Sequence, residues 1–321
     1  MHEFERIEKF FTPLATHAGA LGLKDDAALL SPSAGCEFVI TTDAITEGVH
    51  FVGNESPASI AKKLLRTNLS DLAAKGAKPI GYQLSVMLPS KISDDWLHGF
   101  TSGLKEDQER FGVSLLGGDS TLSKGFIALC ITAIGEAAKG TALLRSGALP
   151  DEMIVVSGSL AESTAGLKLL SSDSDAISAV EKAYLTERYR IPNPRVSLGP
   201  LLKGIASSAM DISDGLMQDL THLCRASLLG AKINFDHVPL SPATKKLYMS
   251  GFLTMEDIVA GGDDYELLFT IPASRADQLP ALSKQSGVPL TVIGKTHAEK
   301  AVYLDHKGKV IHLTHQGYQH F

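Results

Sequence analysis

Short apolar runs alternate with longer stretches of helical period along this chain. Residues 36–42, 82–88 and 126–134 are rich in β-branched and apolar side chains and predict three strands. Between the first two, Ser56-Pro57 supplies an N-cap and a proline at the first helical position. The stripe Ile60, Leu64, Leu65, Leu69 and Leu72 then predicts a helix that stops near Gly76. A second helix is predicted over residues 93–110, with Trp96, Leu97, Phe100, Leu104 and Phe111 on one side and Gly112 as its stop. This β-α-β-α-β order predicts a first α/β unit ending near Gly135.

Residues 137–151 are weakly patterned and predict a connection. Beyond it, 153–157 predicts a strand, 160–170 and 193–203 helices, 207–212 a strand and 216–226 a helix. Segments 258–260, 266–271 and 291–294 complete a second α/β unit. The expected fold class is α/β (α+β) in two domains, residues 1–138 and 139–321.

Composition narrows the function. The 321 residues are 44% hydrophobic and 21% charged, which excludes a disordered or fibrous chain, and the length suits two cores better than one. Thirty-six acids against 30 bases give a net charge of -6, which argues against a nucleic-acid partner. The longest apolar run, 126–134, is far short of a membrane span. The opening MHEFERIEKFF carries early acids and no basic-then-apolar pattern, so export is not expected. Cys36, Cys130 and Cys224 are odd in number, widely spaced and set among apolar residues, which reads as reduced core thiols of a cytoplasmic protein.

The chemistry lies in where the aspartates fall. They recur at strand ends beside glycine or small hydroxyl residues: LKDDAA at Asp25 and Asp26, TTD at Asp43, GGDS at Asp119, DISDG at Asp211 and Asp214, and GGDDY at Asp263 and Asp264. Asp71 adds a sixth place, on the helix face shared with Leu64 and Asn68. One such site alone is ordinary turn or N-cap chemistry. Several in one chain suit Mg²⁺, which takes carboxylates together with substrate phosphates, while neighbouring glycines let backbone N–H groups approach an anion. Asp211 and Asp214 flank a helix start, where the dipole also favours phosphate. No GxxxxGK[ST], GxGxxG, HExxH or GxSxG motif is present, and DISDG is not an EF-hand loop.

LKDDAALL, TTDAITEGVHF, NLSDLAAKGAKP, GGDST, RSGA, MDISDGL and GGDDYELLFT, in this order, resemble the thiamine-monophosphate kinase family of the aminoimidazole ribonucleotide synthetase-like superfamily. The resemblance implies ATP- and Mg²⁺-dependent phosphorylation of thiamine monophosphate to thiamine diphosphate. It also implies an N-terminal ATP/Mg-binding domain whose mixed sheet pairs across a homodimer, and a C-terminal α/β domain with a substrate-contacting tail. By motif it makes Asp26, Thr41, Thr42, Asp43, Asp71, Asp119, Asp211 and Asp214 metal ligands, Thr41 through its backbone. Gly118, Asp119, Arg145 and Ser213 become ATP contacts, and His50, Asp263 and Tyr318 acceptor contacts. Asp43, Asp71, Asp119 and Arg145 carry the catalysis. An acceptor phosphate oxygen is already anionic, so a site rich in aspartate needs no general base and must instead offset repulsion between two phosphates.

Three departures from the family pattern stand out: Lys24 for a glycine, Asp263 for a glutamate, and Phe111 for an ATP-contacting tyrosine. Tyr318 reads equally as an acceptor contact or a packing aromatic. His297, His306, His312, His315 and His320 read as a solvated tail, because their spacing fits no ligand pattern. The rivals are a sister synthetase, with selenophosphate synthetase disfavoured because no cysteine precedes Cys36, and a non-catalytic Mg²⁺-nucleotide sensor.

Overall fold

The computed structural model describes residues 3–52 and 55–318. The chain divides into two compact units, Met1–Leu72 with Ala77–Gly140, and Ala73–Gly76 with Thr141–Phe321.

In the first unit, α1 (Glu3–Arg6) leads through π-helical and 3-10 turns as far as Leu23. There follow β1 (Cys36–Thr46), α2 (Pro57–Ala74), β2 (Lys78–Pro89), α3 (Asp94–Phe111), β3 (Ser114–Ser123) and β4 (Ala128–Ala138). The mixed sheet has order β1-β4-β2-β3, with β2 and β3 parallel and the other pairs antiparallel. Leu129, Ile131 and Ala133 of β4 are buried, while Cys130, Thr132 and Ile134 between them are only half-buried, so one face carries the core. The α2 stripe and Leu97, Phe100 and Leu104 of α3 are buried as their spacing predicts. The Ser93 hydroxyl caps α3 by accepting from Trp96 N–H, and Gly112 ends it at φ 68°. The two helices meet at Gly103, where a Cβ would lie 2.5 Å from the Ala58 carbonyl oxygen, so no side chain fits. Arg66 and Asp107 tie them with two buried hydrogen bonds of 2.7 Å.

The second unit contains β5 (Met153–Ser157), α4 (Glu162–Ser171), α5 (Ala179–Arg190), β6 (Ser208–Asp211), α6 (Leu216–Ser227) and β7 (Gly230–Asn234). It continues with α7 (Pro242–Met249), α8 (Met255–Ala260), β8 (Leu267–Ile271), α9 (Leu279–Ser286), β9 (Leu290–His297), β10 (Val302–His306) and β11 (Lys309–Ile311). Its seven-stranded sheet has order β11-β10-β7-β9-β5-β8-β6, and only β7 and β10 pair in parallel. Alternation sends Ile154, Val156 and Leu268 into one core with α6, and Val155, Leu267 and Phe269 into another with α9.

Four sequence expectations need correction. Ser114–Ser123 is a strand, because Gly117 and Gly118, which read as a turn, lie within the β2–β3 ladder. Residues 193–203 are not an α-helix: Pro194 and Pro200 confine helical structure there to a 3-10 turn, Gly199–Leu202. The helix is α5 upstream, with a Ser178–Glu181 capping box but only Leu185 and Tyr189 buried, which leaves almost no apolar period to read. Cys224 is buried, but Cys36 and Cys130 are only half-buried. His297 and His306 end strands, packing on Tyr303 and Phe235, whereas His312 and His315 are exposed and His320 lies outside the described residues.

Candidate active site

The strand alternation of β1 splits the first unit's predicted ligands between two faces. Thr41 and Asp43 face α2, where the Thr41 hydroxyl donates to Asp71 and the Asp43 N–H donates to Asn68 Oδ1 at 3.1 Å. Asn68, fully buried, is fixed in turn by its own amide donating to the Leu64 carbonyl at 2.9 Å. Thr42 takes the open face, its hydroxyl 2.8 Å from that of Thr132. His50 sits in the turn after β1: its Nδ1 accepts from Thr46 N–H at 3.1 Å, and its carbonyl accepts from the buried Lys63 ammonium at 2.9 Å.

Asp119 lies on β3, at the opposite edge of the sheet, on a line of paired residues Ala44, Cys130, Ser85 and Asp119. Three strand spacings, about 14 Å, therefore separate β1 from β3. A cleft of about 430 Å³ at the β3 edge is lined by Asp25, Asp26, Gln83, Ser85, Gly117 and Asp119. Gly118 is glycine for the sheet's own sake: a Cβ there would lie 1.8 Å from the Leu84 carbonyl oxygen. Gly117 has nothing within 4 Å of that position, so the strand backbone is open to a ligand there. Lys24 does not line the cleft. The left-handed residues before the paired aspartates are Leu21, Gly22 and Leu23 (φ 52°, 64° and 55°), and Lys24 at φ -107° needs no glycine. Phe111 ends α3 with the Arg66 and Arg110 guanidinium groups 5.5 and 5.2 Å from its ring, a packed position.

The second unit brings Asp211, Ser213, Asp214, Asp263 and Tyr318 together. Asp211 is the last residue of β6, and Ser213 and Asp214 form the turn into α6. Asp263 N–H donates to the Ser213 carbonyl at 2.8 Å, and Tyr318 N–H donates to the Asp214 carbonyl at 3.0 Å. Gln218 bridges the same pair, its amide donating to Asp214 Oδ2 at 3.1 Å and to the Tyr318 carbonyl at 2.8 Å. The exposed Arg145 lies on a segment running along the β6 edge, where Ala209 N–H donates to the Leu144 carbonyl at 2.8 Å.

The residue-type reading missed Asp219. Its Oδ2 accepts from the N–H groups of Ser213, Asp214 and Gly215 at 3.1, 3.0 and 3.1 Å, which fixes the turn. An aspartate in the first helical turn after DG was the available signal. Burial first, then the charges of Asp211 and Asp214, push its carboxyl up to about 8.

No three His, Cys, Asp or Glu side chains among the described residues already converge as a ligand set. The donor chemistry nevertheless fits a hard divalent cation. Carboxylate and hydroxyl oxygens meet at Thr41 and Asp71, and like charges crowd Asp219, a repulsion that a cation relieves.

Residues 24–137 match the family model of the AIR synthase related protein, N-terminal domain, and residues 150–307 that of its C-terminal domain. Fold and carboxylate-bearing loops thus define a two-domain protein of the AIR synthase related class. A thiamine-monophosphate kinase of Caulobacter vibrioides is 36% identical over 99% of this chain and 90% of its own. The crystal structure of the thiamine-monophosphate kinase from Stenotrophomonas maltophilia K279a is 35% identical, with a TM-score of 0.85 over 96% of this chain and 98% of that one. AaThiL complexed with AMPPCP and TMP is 30% identical, with a TM-score of 0.79 over 92% and 91%. The chain belongs to the thiamine-monophosphate kinase family.

Proposed function

We propose that the chain transfers the γ-phosphoryl group of ATP in line to the phosphate of thiamine monophosphate, giving thiamine diphosphate and ADP. The observation that carries this reading is the set of aspartates held at fixed places by backbone and side-chain hydrogen bonds, Asp43 and Asp71 through Asn68 and Thr41, Asp214 through Asp219. The solved relative with AMPPCP and TMP supports the choice of co-substrates. Asp26, Thr41, Thr42, Asp43, Asp71, Asp119, Asp211 and Asp214 would hold Mg²⁺, which when bound offsets phosphate charge and polarises the transferring group.

The protein's own groups do the rest. Open backbone at Gly117, with Gly118 next to it, receives phosphate oxygens, and Arg145 supplies a planar cation for charge on the transferring group. Thr46 N–H fills His50 Nδ1, which leaves the neutral ring's proton on Nε2 as a donor for the acceptor phosphate. No described side chain is needed as a base, because the attacking oxygen is already ionised. The exposed face of β1 at Ile40, Thr42 and Ala44 supports pairing with a second copy in a homodimer. Free thiols and no helix long and apolar enough to cross a membrane among the described residues support a cytoplasmic place.

The test is turnover of Mg-ATP and thiamine monophosphate, followed as thiamine diphosphate by thiochrome fluorescence after separation, with a magnesium-free control. Magnesium-dependent product is expected. A folded protein that binds ATP and makes no product would favour the sensor reading.

A further inference from the structure

Residues 261–266 form a loop with two side-chain-bearing residues at positive φ, Asp263 at 66° and Tyr265 at 53°. An aspartate tolerates that region, but a tyrosine rarely adopts it, so the surroundings must hold Tyr265 there. The residues that alternate with them do so. Asp264, buried, accepts from Ala161 N–H at 2.7 Å and Ser163 N–H at 3.5 Å, at the start of α4. Glu266, also buried, accepts from the Ser157 hydroxyl at 2.5 Å and from Arg195 through both oxygens, Nε at 2.6 Å. Gly158 belongs to this clasp, since a Cβ on it would lie 2.2 Å from a Glu266 carboxylate oxygen. On the backbone side, Asp263 N–H and Tyr265 N–H donate to the carbonyls of Ser213 and Ile212, each at 2.8 Å.

With 264 and 266 anchored in the core, Asp263 and Tyr265 are left facing one another. The Tyr265 hydroxyl donates to Asp263 Oδ1 at 3.0 Å. Tyr265 is 9% exposed, so its ring has little freedom to turn away. A carboxylate recognises a cationic or N–H-bearing group and repels phosphate, so Asp263 suits the nitrogenous end of the acceptor.

We propose that Tyr265 is a positioning residue for the acceptor: its hydroxyl fixes the Asp263 carboxylate in the orientation that meets the nitrogenous end of thiamine monophosphate. This rests on Asp263 being an acceptor contact. An aspartate is one methylene shorter than the family's glutamate and reaches less far, so its direction matters more.

The test is a double-mutant cycle of Tyr265→Phe and Asp263→Ala, read as KM for thiamine monophosphate, KM for ATP and kcat. Tyr265→Phe removes one oxygen and keeps the ring. It is expected to raise KM for the acceptor about 5-fold, the loss of one hydrogen bond, with kcat and KM for ATP within about twofold. In the Asp263→Ala background the same change is expected to do nothing further. An equal rise in both backgrounds, or a matching rise in KM for ATP, overturns the proposal. An acceptor KM unchanged by Asp263→Ala alone removes the Asp263 reading and the proposal with it. An unchanged KM in Tyr265→Phe beside a raised one in Asp263→Ala overturns only the proposal. Calorimetric binding of thiamine monophosphate to the same four proteins, scaled to the folded fraction, decides the case if a variant is less stable.

Discussion

Asp43 and Gly118 end one line of paired residues across the first sheet, Asp43, Ile131, Leu84 and Gly118, yet substitution at the two should fail for opposite reasons. Asp43→Asn keeps the backbone donor to Asn68 and the strand pairing, and removes only a charge. Its kcat should fall by about 100-fold or more with Tm unchanged; near-normal turnover of the folded variant would remove Asp43 from the ligand set. Gly118→Ala drives a methyl into the Leu84 carbonyl and should cost about 1–3 kcal/mol in urea unfolding, whatever its activity. Asp264 gives the pH case. Burial, with Glu266 and Glu162 adding to it against Ala161 N–H and Arg188, pushes its carboxyl up to about 8. Between about 4, where the unfolded chain ionises, and that value the folded state keeps a proton that the unfolded chain has released, so stability falls as pH rises. Asp264→Asn removes this dependence. Its stability relative to the original chain should improve from pH 5 to pH 8, and a constant difference would refute the assignment.

Helices and strands were legible where one face alone is buried. The α2 and α3 stripes give their own positions because each repeats on a 3.6-residue period against a single core. β3 was not legible, since Gly118 is required by close approach to β2 and, with Gly117 before it, imitates a turn. α5 was not legible either, because Val180 and Tyr184 are exposed and only Leu185 and Tyr189 turn inward. The site divides in the same way. Motif strings gave the aspartates, but β1 alternation, which sends Thr41 and Asp43 to one face and Thr42 to the other, follows from pairing rather than composition. Asp219 and Tyr265 went unread because they act on other side chains and turns. Between elements, the Arg66–Asp107 tie of α2 to α3 is nearly inaccessible, at 6% and 1% exposed. Arg66→Met leaves a buried carboxylate unpaired and should cost about 3–5 kcal/mol, while the double change with Asp107→Leu should recover most of it. A double variant as unstable as the single one would show that the tie's charge is not what matters.

At the scale of the whole molecule, a chain of net charge -6 has to accept two anionic substrates, so attraction must be local and cation-assisted. The first unit also keeps one sheet face open, with Ile40 of β1 62% exposed, and at the β3 edge Leu122, which pairs with Leu88 on the core side, is 75% exposed. Large apolar side chains on the uncovered face or edge of a four-stranded sheet are what an association surface requires. On the proposed reading that surface is covered by a second copy, and the ligands on the sheet's two edge strands, Asp43 towards α2 and Asp119 on the open side, work within that assembly. Ile40→Glu places a charge on the face without touching the buried core or any predicted ligand. Sedimentation velocity should give a dimer for the original chain and a monomer for Ile40→Glu at the same concentration, with turnover falling alongside. A variant that remains dimeric places the interface elsewhere, and a monomeric variant with full turnover shows that one copy carries the complete site.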